Sequence, residues 1–151
     1  MAHNCIAEQL KEHSLTRRYV AICHGVLRED EGTIDRPIGR HPTERKKMAV
    51  NERNGKRAVT HYKVLQRFRD YTYIECRLET GRTHQIRVHM ASIGHPLLGD
   101  EVYSNRKNPY KLQGQTLHAK ILGFRHPSTG EYIETEAPLP EYFEHLLKVL
   151  E

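Results

Sequence analysis

Residues 71–94, YTYIECRLETGRTHQIRVHMASIG, carry two periodicities in succession. From Tyr71 to Thr80 the residues alternate, with Thr72, Ile74, Cys76 and Leu78 on one side and Tyr73, Glu75, Arg77 and Glu79 on the other. Successive side chains on a strand point to opposite faces, so this pattern predicts a strand in a sheet with one buried and one wet face. After Gly81 the period changes. Ile86, Met90 and Ile93 fall on one helical stripe, with His84, Arg87 and Ala91 on a neighbouring one. Thr83 is the expected N-cap, and Gly94 followed by Pro96 the expected stop. A half-buried strand running straight into an amphipathic helix points to an α+β fold.

Working outward, Ala58 to Phe68 reads as the strand before it, joined through Arg69 and Asp70. Arg17 to His24 is apolar on both faces and is stopped by Gly25, as a central strand should be. Gly32, Pro37, Gly39 and Pro42 divide the chain into short extended pieces, and Asn54-Gly55 is a turn signal. Leu117 to Phe124 and Glu131 to Ala137 are strands around a Pro127 to Gly130 turn. A final helix from Glu141 is expected to bury Tyr142, Phe143, Leu146, Leu147 and Leu150. Ile6, Ala7 and Leu10 predict a helix over about the first dozen residues, whose abrupt start suits a chain entered partway through a longer protein. The expected architecture is one α+β domain over residues 1–151, a mixed, mostly antiparallel sheet with flanking helices.

Composition narrows the function classes. Hydrophobic residues make up 37% and charged residues 28%, which suits a globular domain. No apolar run approaches the roughly 20 residues of a membrane helix, and no secretory leader is expected. A cytoplasmic protein with no membrane partner is the expectation. Cys5, Cys23 and Cys76 are odd in number and form no C-x-x-C pair, so neither a disulfide framework nor a zinc knuckle is implied. Eleven histidines suggest metal binding through His84, His89, His95 and Cys76 as a competing reading. Spacing argues against it: His84 and His89 are five apart and point roughly 140° away from each other on a helix. No metal is expected.

The net charge of +5 has a location. Between Arg40 and Arg57 lie Arg40, Arg45, Lys46, Lys47, Arg53, Lys56 and Arg57 against only Glu44 and Glu52, while elsewhere 17 basic residues balance 17 acids. A basic segment on a neutral domain is the electrostatic footprint of a polyanion partner. The same segment would also serve as an ordinary solvated loop.

Gly81-Arg82-Thr83-His84-Gln85-Ile86-Arg87-Val88-His89-Met90-Ala91, continuing through Gly94-His95-Pro96, Gly99-Asp100 and Tyr103, resembles a signature of the RluA/RluD family of RNA pseudouridine synthases. Arg17-Arg18-Tyr19-Val20-Ala21 resembles that family's basic-x-Tyr-x-Ala strand. Pro37 to Arg40, Lys47 to Val50, Gly55-Lys56, Thr60-His61-Tyr62 and Leu117-His118-Ala119 resemble the segments between and after. The resemblance spans nearly the whole chain but only the C-terminal portion of a family member.

The resemblance implies an enzyme that detaches uracil from its ribose within RNA, turns it and reattaches it through carbon 5, with no cofactor. The target nucleotide must be flipped out or presented in a loop. Tyr19 would stack on the uracil. Arg87 would hold the catalytic aspartate as an ion pair, a role suited to a guanidinium fork. Arg82, His84 and Gln85 are candidates for RNA contacts, and Arg40, Arg45, Lys46 and Lys47 for phosphate binding. Ribosomal RNA is expected ahead of transfer RNA.

The sequence departs from the family at one decisive place. The motif resembling H-R-L-D-x-x-T-S-G, which carries the catalytic aspartate, does not occur. Asp30, Asp35, Asp70 and Asp100 sit in other contexts, and Asp100 is expected to cap or pair a loop. The expectation is therefore an inactive fragment whose exposed apolar surface favours self-association, with a non-catalytic RNA-binding module as the alternative.

Overall fold

The computed structural model describes residues 16–44, 46–110, 112–125 and 128–151. The expected N-terminal helix and Arg45 lie outside them, as does part of the Pro127 turn. Among the described residues the order is β1 (Thr16–His24), β2 (Glu31–Asp35), β3 (Ile38–Arg40), β4 (Met48–Val50), β5 (Val59–Arg67), β6 (Tyr71–Leu78), α1 (Gln85–Ser92), β7 (Leu117–Arg125), β8 (Tyr132–Glu136) and α2 (Glu141–Leu150). Six strands form one sheet in the order β2-β5-β6-β1-β7-β8, with every neighbouring pair antiparallel; β3 and β4 make a separate hairpin. The α+β class is as the sequence predicts.

The alternation along β6 sets the two faces. Ile74, Cys76 and Leu78 join Ala21 and Cys23 of β1 under Ile86 and Met90 of α1, with Leu97 closing the cluster. Burying such side chains contributes roughly 1.5–3 kcal/mol each, which fixes α1 against this face. The other face is not uniformly wet. Val20 and Ile22 of β1, with Tyr71 and Tyr73, pack beneath Phe143 and Leu146 of α2. Only its far part, around Arg18, Glu75 and Arg77, is an open polar groove. A helix arriving about 70 residues later covered positions that local alternation marked as solvent-facing.

Two local expectations are also corrected. Tyr142 is 48% exposed instead of buried, because α2 turns its Phe143–Leu146 side to the sheet. Thr83 does not cap α1. The N-cap is His84, whose backbone is left-handed (φ 56°, ψ 26°) and whose side chain makes no capping hydrogen bond. Gly94 ends α1 as expected, with φ 85° and an N–H that reaches Ala91 O at 3.0 Å. The Asn54 turn is organised from Asn51, whose Oδ1 accepts from the Arg53 and Asn54 N–H groups.

Candidate active site

The site is built around the turn between β6 and α1. Thr80 Oγ1 donates to Gln85 Oε1 at 2.7 Å and accepts the Val59 N–H at 3.0 Å. Gln85 Oε1 also accepts the Arg82 N–H at 3.0 Å, while Gln85 Nε2 donates to Val59 O at 2.9 Å and Thr60 Oγ1 at 3.0 Å. Two donors and two acceptors are the full capacity of an amide, and Gln85 is only 3% exposed. Its side chain is spent on fastening the turn to β5.

With the turn fastened, the side chains at the start of α1 have fixed places. His84 stands half-buried with Nδ1 2.7 Å from Tyr103 Oη and its ring edge-on to the Tyr103 ring. Tyr103 Oη also accepts the Met48 N–H at 3.1 Å, which leaves its own proton for His84 Nδ1. Burial, and secondarily the nearby Arg87 charge, lower the His84 pKa, so a neutral ring with Nδ1 as acceptor is favoured.

Arg87 is 9% exposed and Asp100 3%. They form a two-bond pair, Nε to Oδ2 at 2.9 Å and Nη2 to Oδ1 at 3.0 Å. Asp100 Oδ1 also accepts the N–H groups of Val102 and Tyr103 at 3.0 and 3.1 Å. Burial alone would raise the Asp100 carboxyl, but the Arg87 guanidinium and these backbone donors hold it below its ordinary value. The Arg87 guanidinium lies 5.0 Å from the centre of the Tyr103 ring. Asp100 thus caps a loop, as the sequence led one to expect, and it also pairs with Arg87, a partner the sequence did not foresee. Because it occupies the Nε–Nη2 edge of Arg87, a second carboxylate would have to approach the Nη1 end or displace it.

The remaining candidates are distributed around this turn. Arg82 Nε donates to Arg57 O at 2.8 Å. Tyr19 is half-buried on the face that α1 covers and packs against that core cluster. Arg40 ends β3 and is exposed; Lys46 is exposed, and Lys47 pairs with Glu44 at 2.9 Å. Such a surface pair is weak enough for a phosphate to displace. The β3–β4 hairpin carrying these residues is held against α1 by Ile38, Met48, Val50, Ala58, Val88 and Tyr103. The basic segment is therefore tied to the His84–Arg87 turn through Tyr103. His89 is buried, with Nδ1 2.8 Å from Thr60 Oγ1 and Nε2 2.9 Å from Arg36 O.

Sequence reasoning assigned no role to Tyr103, Thr60, Thr80 or Arg17. For Arg17 a signal existed: a basic residue inside an apolar strand, in register with Tyr19.

Known proteins resemble this chain in sequence and fold. Residues 1–92 match the RNA pseudouridylate synthase family. The chain is 55% identical over 150 residues to an uncharacterized RNA pseudouridine synthase, YlyB, of Bacillus subtilis (strain 168), covering 99% of this chain and 49% of that protein. It is 47% identical over 161 residues to ribosomal large subunit pseudouridine synthase D of Haemophilus ducreyi, again 99% of this chain and 49% of the relative. The chain thus spans about half the length of these relatives. The solved structure named Human RNA Pseudouridylate Synthase Domain Containing 1 superposes with a TM-score of 0.77 at 26% identity, covering 97% of this chain and 70% of that one. With the signature at the β6–α1 turn, these likenesses establish that the chain belongs to the RNA pseudouridine synthase family, of the RluA/RluD type.

Proposed function

We propose that this chain is the base-holding and RNA-positioning part of an enzyme that isomerises uridine to pseudouridine in ribosomal RNA. The observation that carries the reading is the turn before α1. It displays Arg82, His84 and Arg87 from a hydrogen-bonded frame, on the sheet face that holds Tyr19. A rigid frame suits such work, because positioning lowers a barrier only when the geometry is held before the reaction.

Tyr19 stacks on the flipped uracil, and the neutral His84 and Arg82 contact the nucleotide or its backbone. Arg87 orients the attacking carboxylate from its Nη1 end. That carboxylate belongs to an H-R-L-D-like segment that this sequence does not contain, so the chain alone is inactive. Arg40, Arg45, Lys46 and Lys47 neutralise phosphates, and no metal or organic cofactor takes part. The naming of the Haemophilus ducreyi relative as a ribosomal large subunit enzyme supports ribosomal over transfer RNA.

Mapping pseudouridine in ribosomal and transfer RNA from cells lacking the gene tests this. Loss of ribosomal sites, restored by the wild-type gene and not by Arg87→Met, is the expected result. Loss confined to transfer RNA would overturn the substrate, and no loss anywhere would favour a non-catalytic RNA-binding module.

A further inference from the structure

Arg17 lies two residues before Tyr19 on the same face of β1. The residue is 7% exposed, yet its Nε is a buried nitrogen with no hydrogen-bond partner, the one such side-chain atom among the described residues. None of the ion pairs among the described residues uses it. Burial pulls its pKa below the ordinary value. A buried guanidinium stays protonated at neutral pH and is costly to leave unpaired. The contrast is with Arg87, whose fork is filled by Asp100.

The place where this cation sits is informative. A Cβ added at Gly81 would lie 2.0 Å from Arg17 Nη1 and 3.2 Å from Cζ. The guanidinium is thus seated against the backbone at the start of the signature turn, in space that only glycine leaves open. Arg82 and His84 are close behind in sequence. On a strand, residues two apart are separated by about 6.6 Å, which is of the order of the distance between a nucleotide's base and its phosphate.

We propose that Arg17 is an oxyanion-binding residue of this site, seated against Gly81 to receive a phosphate of bound RNA. The assignment rests on the RNA reading above, with the base against Tyr19 and the phosphate one strand repeat away at Arg17. The planar fork offers the paired donors that phosphate oxygens accept. Binding supplies the counter-charge that the described residues do not.

The test uses this chain and a fluorescein-labelled ten-nucleotide oligouridylate, with anisotropy measured over a range of salt. Arg17→Gln and Gly81→Ala should each weaken binding about ten- to a hundredfold, the loss of one charge-assisted contact. Each should also reduce the salt slope by about 0.7, one phosphate on single-stranded RNA. Gly81→Ala is the sharper variant, because it displaces the guanidinium without altering net charge. Arg17→Gln should melt no lower than wild type, since it removes a buried cation with no counter-charge among the described residues; a marked drop would show a purely structural arginine and overturn the proposal. Should Gly81→Ala fail to fold, Arg17→Gln with the Arg17 Nε–H resonance decides. That resonance should shift with oligouridylate and with inorganic phosphate. A response to acetate alone would assign a carboxylate instead and overturn the RNA phosphate. If wild type binds the oligonucleotide and both variants bind equally well, the Arg17 assignment fails while the RNA reading stands. If wild type binds no RNA, both fall.

Discussion

His84 holds a left-handed backbone that costs a β-carbon-bearing residue about 1–2 kcal/mol, and the surrounding bonds from Gln85, Thr80 and Tyr103 keep it there. Strain of this kind persists only where the surrounding bonds over-determine the backbone. Next to it the Arg87–Asp100 pair is buried, so breaking it leaves an uncompensated charge. Arg87→Met should destabilise the chain by about 3–5 kcal/mol in urea unfolding, and Arg87→Met with Asp100→Asn should recover much of the loss. The same residues set the pH dependence. His84 and His89 have pKa values below 6.5, so unfolded histidines take up protons that the folded ones resist, and stability falls as pH drops below about 6.5. Asp100 is held below 3.8, so its contribution is complete above that pH and is lost as pH falls through the folded value. Urea titrations at successive pH values should show both declines, and the second should shrink in the double variant, with Glu44 and Glu79 accounting for what remains. Asp100 as a loop cap was legible from its place in the signature. Its pairing with Arg87 was not, because the two residues are 13 apart and meet only through the turns after α1.

At the scale of elements, β6 and the Ile86–Met90 stripe were legible because each has a period that one packed face imposes. The cap of α1 was not: Thr83 has the right chemistry, but Gln85 had already satisfied the turn from within the helix. The β3–β4 hairpin read only as short extended pieces, since its support comes from α1 and Tyr103 and not from its own sequence. That support makes a prediction. Tyr103→Phe removes the acceptor for the Met48 N–H and the partner of His84, and should cost about 1–2 kcal/mol. Amide exchange should quicken at Met48 more than in β5 or β6. The hairpin's charge has its own test. With about four phosphates neutralised, the segment should contribute roughly −3 to the slope of log affinity against log salt, and reversing Arg45, Lys46 and Lys47 should flatten it. An unchanged slope would remove the segment from the RNA interface.

Over the whole molecule, the sequence showed the α+β class and the turn that carries the site, while the cover on the second sheet face came from α2, far along the chain. The apolar groove of about 820 Å³ between α2 and the loop residues Tyr110, Leu112 and Gln115, lined in part by the exposed Tyr142 and Val149, leads us to expect self-association of the chain on its own, which sedimentation should reveal as a concentration-dependent mass. In the proposed function these residues bind and orient RNA, and the attacking carboxylate lies on a segment absent from this sequence. Tritium release from RNA carrying 5-tritiated uridine tests it, with the chain and a protein that includes the H-R-L-D-like segment at matched concentration. Release is expected from a protein that includes the H-R-L-D-like segment and only background from the chain alone; release by the chain above background would place the attacking group within it and turn attention to Asp100 and Asp35.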